Sequence, residues 1–412
     1  MIKVEKIIPG GQALGTMPDG RKIFFWNALP GEVVTDYEIT KKKSHYVEAI
    51  ANKIKQASKF RVQSKDDCFL STSPWQIIDW NYENQLKSEL VTEIFREHQI
   101  AISPTPVVTD GKDYYYRNKM EYSLYWDNAD AKIKLAFHAR GSHRKIPITS
   151  SSIERPEIFT AAKNIIYELN EKHDEARKYQ SLLLRCNQKG EVSGGLYENK
   201  KPHPHFKNLK DDILGRTYSY SPNGFFQINL PVYELALREI KKYISTKDVL
   251  DLYAGVGTIG LSVTSPSNLT LVECDKFAFS ELEKNCNMDA FEGIRSYGED
   301  ERDGPVTTGA VDAPRTKHPL AILSKSEEVI GHIQPSQTVI LDPPRAGCDK
   351  KLINRLLEVQ PEIVIYLSCN PATQARDVKA LLKKYSIKSI KTFNFFPRTP
   401  HIENLVILKK SC

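Results

Sequence analysis

The chain has 412 residues, a net charge of +7, 40% hydrophobic and 26% charged residues, a balance that excludes a disordered or fibrous protein and leaves room for two or three domains. No apolar run reaches the roughly 20 residues a bilayer-spanning helix needs, and the start Met1-Ile2-Lys3-Val4-Glu5-Lys6 lacks the apolar core of a secretory signal. The basic balance favours a polyanionic partner without requiring one, and seven scattered cysteines suit a reducing compartment, so a cytoplasmic protein with no membrane partner is expected.

Taken in order, the first 55 residues predict short strands and turns. Lys3 to Ile7 alternates, Pro9-Gly10-Gly11 turns, Asp19-Gly20 is a hairpin signal, and Lys22 to Trp26 and Glu32 to Ile39 follow. This pattern suits a small β-barrel of the oligonucleotide-binding type over 1–55. Ile77, Trp80, Tyr82, Leu86, Leu90, Ile94 and Phe95 predict a helix over 76–99. The span 56–216 reads as a mixed central domain, poor in long helices beyond 101. In it, Tyr114-Tyr115-Tyr116-Arg117-Asn118-Lys119 and Arg140-Gly141-Ser142-His143-Arg144-Lys145 interleave aromatic and basic residues, as a surface that stacks bases and holds phosphates would. From 217 to 412 strands alternate with helices, which predicts an open, mostly parallel α/β sheet. Residues 292–320, rich in Gly, Pro, Asp and Arg, read as a surface insertion.

Four chemistry-bearing residues end four apolar runs in that last part: Asp251, Glu273, Asp342 and Cys369. Ligands of open parallel sheets bind at such strand ends. Gly255-Val256-Gly257-Thr258-Ile259-Gly260 matches a nucleotide-binding glycine loop, and Glu273 would hold ribose hydroxyls of either NAD or S-adenosylmethionine. Asp251 favours the second, because a carboxylate before the glycine turn suits a sulfonium cation and suits a pyrophosphate badly. Asp342-Pro343-Pro344-Arg345 has Arg345 where amino-directed methyltransferases place a stacking aromatic, which disfavours amine methylation. Cys369, in Ser368-Cys369-Asn370-Pro371, then supplies a thiolate to add to C6 of a pyrimidine and activate C5, with Glu403 as the base for the C5 proton.

With these motifs in order, the chain resembles the RNA uracil-5-methyltransferase family. The likeness rests on Asp251-Leu252-Tyr253 with its glycine loop, Leu341 to Gly347, Ser368 to Pro371, Phe396-Pro397 through Glu403, and Ser221-Pro222 with Phe225 to Asn229. It implies a Rossmann-like class I methyltransferase domain behind a TRAM-like RNA-binding barrel and a central mixed α+β domain. It implies Cys369 as nucleophile, Glu403 as proton acceptor, and Gln227, Tyr253, Glu273 and Asp342 as S-adenosylmethionine contacts. Thr258 holds a cofactor-loop position often Asn in the family. A barrel joined to the catalytic domain favours ribosomal RNA, of the 23S type, over transfer RNA as partner, and a monomer is expected.

Two departures bear on function. Many relatives carry an iron–sulfur cluster on four cysteines; here Cys68 stands alone, with Thr149-Ser150-Ser151-Ser152 in the later ligand region, so no cluster or other metal is expected. Asn394 stands where the family often has an acid. The competing readings are a transfer RNA enzyme, a cytosine-C5 methyltransferase, which usually needs a second cysteine where this chain has Asp342-Pro343-Pro344, and a non-catalytic RNA-binding protein.

Overall fold

The computed structural model describes residues 1–172, 176–203, 206–286, 295–296 and 318–411. The chain divides into two compact units. One holds Met1–Arg96, Ala101–Leu209 and Asn394–Ile402; the other holds Glu97–Ile100, Lys210–Phe393 and Glu403–Cys412. The first unit thus reaches to Leu209 and takes in a short late segment that the sequence reading assigns to the catalytic domain.

The first unit opens with a closed barrel of five strands, β1 (Ile2–Ile7), β2 (Ala13–Thr16), β3 (Lys22–Trp26), β4 (Val33–Lys42) and β5 (Tyr46–Gln56), in the order β1-β2-β3-β5-β4. Alternation decides it: Ile2, Val4, Ile23, Phe25, Val34, Val47, Ala49 and Ala51 point inward and are buried. The β2–β3 hairpin turns at Gly20, whose φ of +85° favours glycine. Glu32, fully buried, accepts from the Leu29 and Ser58 amides at 2.8 and 3.0 Å and from Arg61 at 2.6 and 2.8 Å, pinning the barrel's end to the segment that follows.

After α1 (Phe69–Thr72), helix α2 (Trp80–Glu97) buries Leu86, Leu90, Val91, Ile94 and Phe95 along one stripe. That stripe also contains an ion pair, Lys87 on Glu83 at 3.2 Å, with both side chains fully buried. Burial pushes the Lys87 ammonium down to about 8, against the pull of Glu83. Asn394 completes the cluster: its oxygen accepts from Lys87 at 2.7 Å, and its amide donates to Glu83 at 3.1 Å and Asn84 at 2.9 Å. An acid at this position would accept from Lys87 but could not donate to Glu83.

A six-stranded sheet follows: β6 (Lys119–Asp127), β7 (Lys132–His138), β8 (Lys145–Pro147), β9 (Ser181–Cys186), β10 (Val192–Glu198) and β11 (Lys201–His203), in the order β11-β10-β9-β6-β7-β8. Helix α3 (Pro156–Glu171) packs on it through Ile158, Ala162, Ile166 and Leu169; the sequence reading, which found this region poor in long helices, leaves α3 out. Cys68 is buried beside a polar network in which Asp66 accepts from the Ser152 amide at 3.1 Å, its hydroxyl at 2.8 Å and Gln76 at 2.8 Å. Burial and Asp66 push the Cys68 thiol up to about 12.

The second unit begins with a ribbon, β12 (Leu209–Ile213) and β13 (Arg216–Tyr220), and α4 (Leu230–Lys241). Its sheet contains β14 (Asp248–Leu252), β15 (Leu269–Glu273), β16 (Arg295–Ser296), β17 (Leu320–Leu323), β18 (Gln337–Leu341), β19 (Ile363–Ser368), β20 (Tyr385–Phe393) and β21 (Glu403–Lys410). The order is β16-β17-β15-β14-β18-β19-β21-β20. All neighbours are parallel except β21, which runs antiparallel to both β19 and β20. Helices α5 (Thr258–Val263), α6 (Lys276–Cys286), α7 (Lys350–Val359) and α8 (Pro371–Leu381) connect the strands. This is the expected mostly parallel α/β sheet. Most of the expected insertion at 292–320 lies outside the described residues.

Candidate active site

The strand ends meet along one edge of this sheet. β15, β14, β18, β19 and β21 are five consecutive neighbours, and they end or begin at Glu273, Asp251-Leu252, Asp342, Cys369 and Glu403. Register decides who faces whom. Leu341 pairs with Leu252 on one side and Tyr366 on the other, so Asp342 follows directly between the two neighbouring strand ends. Ser368 pairs with Asn404, so the same antiparallel register carried one step further sets Cys369 opposite Glu403.

At β14 the chain turns sharply, with Tyr253 at φ +65°, Gly255 at +57° and Gly257 at +87°. Gly257 leads into α5, and a Cβ there would sit 2.6 Å from Leu282. The Gly260 amide donates to Asp251 Oδ2 at 2.8 Å, tying strand to helix, and a Cβ on Gly260 would lie 2.9 Å from that same oxygen. Asp251 is fully buried and its Oδ1 has no hydrogen-bond partner. Burial pushes its carboxyl up to about 8, with Asp342 and Glu273 adding repulsion and the Gly260 bond opposing it. Glu273 accepts from Gly255 at 2.8 Å, Cys274 at 2.8 Å and Asp275 at 2.7 Å, so it is fixed beside the glycine loop.

The remaining sequence-nominated residues sort differently. Phe226 stacks on Tyr220 at 3.9 Å, and Gly224 lies against Phe277 of α6; together these anchor the segment carrying half-buried Gln227. The Tyr253 hydroxyl reaches Ser326 and the Cys348 thiol. Thr258 is buried and bonds the Tyr233 hydroxyl, so its side chain is engaged in the packing of α4 on α5. Cys348 is likewise buried, with its thiol on Tyr253 and Tyr366.

Cys369 is half-buried and immediately precedes α8, whose N-cap Asn370 accepts from the Ala372 amide at 3.2 Å. Burial, Glu403 and Asp342 push the thiol up to about 11; the charge of Arg345 and its hydrogen bond to the thiol oppose them. A helix N-terminus also favours the thiolate. Glu403 is buried, and burial with the Asp342 charge holds its carboxyl well above the usual range, again against Arg345. Cys369, Glu403, Asp342 and Arg345 therefore form one coupled group. Beneath it lies a buried amide network that sequence reasoning missed. Asn404 donates to Gln374 at 2.7 Å and accepts from Thr392 at 3.1 Å; Gln374 donates to Tyr366 and Asn404 carbonyls at 2.8 and 2.9 Å. Asn404 near the start of the otherwise apolar Leu405–Leu408 run was the available signal.

The donor set suits a cationic cofactor. Three carboxylates surround the glycine loop, and one buried oxygen, Asp251 Oδ1, has no partner. A pyrophosphate would be repelled there. Among the described residues, no three His, Cys, Asp or Glu side chains come together as metal ligands.

Residues 208–411 match the family described as tRNA (Uracil-5-)-methyltransferase. A Prochlorococcus marinus protein named an uncharacterized RNA methyltransferase is 28% identical, with 93% of this chain and 99% of the relative covered. A Bacillus cereus protein of the same description is 25% identical over 94% of this chain and 91% of its own length. Among solved structures, the Pyrococcus abyssi tRNA (uracil-54, C5)-methyltransferase in complex with S-adenosyl-L-homocysteine superposes with a TM-score of 0.72. It is 22% identical and covers 99% of this chain and 100% of its own, a likeness of fold.

Proposed function

We propose that this chain, whose residues 208–411 match the tRNA (Uracil-5-)-methyltransferase family, is an RNA methyltransferase that methylates C5 of a uridine in structured RNA, with S-adenosylmethionine as methyl donor. The observation that carries the reading is the β19–β21 register, which sets a thiol opposite a carboxyl at the edge where Asp342 and the glycine loop lie.

Gln227, Tyr253, Glu273 and Asp342 would hold the cofactor, with Thr258 contributing through its backbone at the start of α5. When bound, S-adenosylmethionine supplies an electrophilic methyl group. The Cys369 thiolate adds to C6 of the uracil, and the electron pair of the C5–C6 double bond shifts to make C5 nucleophilic. Arg345 beside the thiol stabilises the thiolate that begins the reaction. Once C5 carries its new carbon, Glu403 takes the C5 proton, the C5–C6 double bond reforms, and the thiolate leaves. A carboxylate whose proton affinity is raised by burial is the stronger base for that carbon-bound proton.

The test is Glu403→Gln. With RNA and labelled cofactor, the variant should accumulate a protein–RNA adduct carrying the methyl group, seen as a slow band on a denaturing gel. An inactive variant with no adduct moves the base role to another residue. For the RNA itself, the barrel ahead of the catalytic domain favours ribosomal RNA, and the Pyrococcus abyssi relative is a transfer RNA enzyme. Mass mapping of 5-methyluridine in both RNA classes from cells lacking the gene decides between them.

A further inference from the structure

The loop Asp342–Cys348 carries two members of the site, Asp342 and Arg345, yet it is exposed from Pro344 to Ala346 and has no strand partner there. It is held by α8, the helix that begins directly after Cys369. Asn370 Nδ2 and Thr373 Oγ1 both donate to the Arg345 carbonyl, at 2.8 and 3.1 Å. Arg376 donates to the Ala346 carbonyl at 3.1 Å. Asp377, 4% exposed, accepts from the Cys348 amide and the Tyr366 hydroxyl, both at 2.9 Å. Gly347, at φ +80°, lets the loop lie this close: a Cβ there would meet Asp377 at 2.7 Å and Arg376 at 2.6 Å.

These bonds come from positions 370, 373, 376 and 377, one face of two helical turns. We propose that this face is a clamp, and that Thr373, Asn370 and Asp377 are positioning residues that set the Arg345 guanidinium against the Cys369 thiol. The proposal rests on the reading of Cys369 as nucleophile. The same helix that fixes the thiol's backbone fixes the backbone of its activating cation. Loop and nucleophile therefore keep their spacing when either strand end shifts. Without the two bonds to its carbonyl, Arg345 would sample positions away from the thiol. The thiolate would then lose the Arg345 charge that offsets Glu403 and Asp342.

Thr373→Val tests this, because it removes a hydroxyl from a half-buried position while keeping shape. The readout is the rate at which iodoacetamide alkylates Cys369 in the full ligand-free chain, followed by peptide mass spectrometry from pH 7 to 10. The variant should react about three- to tenfold more slowly at each pH below the thiol's titration, a shift of about half to one pH unit. Exposed Cys274 serves as the internal control and should keep its rate. Thr373→Ser should restore the wild-type profile, and Arg345→Met should slow Cys369 at least as much as Thr373→Val. In methyl transfer, Thr373→Val should lower kcat by a similar factor and leave KM for RNA unchanged. The clamp is overturned if Thr373→Val or Arg345→Met leaves the Cys369 profile in place, even where kcat falls. A shifted alkylation profile in a protein that methylates no uridine would keep the clamp and refute the methylation reading instead.

Discussion

Asp251→Asn should make the ligand-free protein more stable at neutral pH. Asp251 is fully buried, one oxygen is held by the Gly260 amide at 2.8 Å, and the other has no partner. Its folded carboxyl titrates at about 8, against an ordinary value of 3.8. The folded state therefore binds more protons than the unfolded chain between those two values, and stability falls as pH rises through that window. At 1.36 kcal/mol per pH unit, the group costs about 2 kcal/mol at pH 5 and about 4 kcal/mol at pH 7, as an order of magnitude. Asparagine keeps the acceptor for Gly260 and cannot ionise. It leaves an amide without an acceptor where Oδ1 stands, at a cost of about 1–3 kcal/mol. The net gain at pH 7 is then about 1–3 kcal/mol. Urea unfolding at pH 5, 6, 7 and 8 should show the wild type losing about 2–3 kcal/mol more than the variant between pH 5 and 7. Asp342, pushed up to about 7 by burial, and Glu403 titrate with the same sign and are present in each protein, so their own burial drops out of the difference, while the repulsion between Asp342 and Asp251 is relieved in the variant and adds to its gain. Titration with S-adenosylmethionine should show the opposite preference, with the variant binding at least about tenfold more weakly, because a bound cation would draw the Asp251 carboxyl into its ionised form and asparagine cannot ionise. Parallel pH curves for the two proteins, or a variant less stable at every pH, would refute the reasoning.

Cys369→Ala should abolish methyl transfer while cofactor affinity stays within about twofold, because the proposed mechanism has the thiol act on the RNA base; full turnover measured with labelled cofactor would remove the covalent mechanism. Gly194→Ala should break the pairing of β9 with β10, since Gly194 has φ +140° and a Cβ there would lie 2.1 Å from the Leu183 carbonyl oxygen. A loss of about 3 kcal/mol or more is expected, read as lost hydrogen-exchange protection at Leu182–Leu184; unchanged protection would show that the sheet accommodates the methyl group.

Much of the candidate site's placement was legible because it sits where local rules are strict. Asp251, Glu273, Asp342 and Cys369 each end an apolar run, and a strand end in a parallel sheet is a place defined by sequence alone. The barrel was legible for the same reason: alternation over Lys3–Ile7 and Lys22–Trp26 with Gly20 at the turn leaves little choice of face. Helix α2 also followed its stripe to within a few residues at either end.

What tertiary structure alone decided depends on contacts far apart in sequence. Nothing near Glu403 says that β21 inserts antiparallel between β19 and β20. Yet that insertion carries Glu403 to a place opposite Cys369, and a slip of one residue would turn it to the other face of the sheet. Thr258 lies inside the glycine motif, but Tyr233 on α4 determines where its hydroxyl points. Asn394 acquires meaning only from Glu83 and Lys87, more than 300 positions earlier, where an amide can both donate and accept inside a buried ion pair. Local periodicity encodes which face of an element is buried. The partner on that face is chosen by packing and by the need of each buried polar group for a complement, and that choice is made only when the chain has folded.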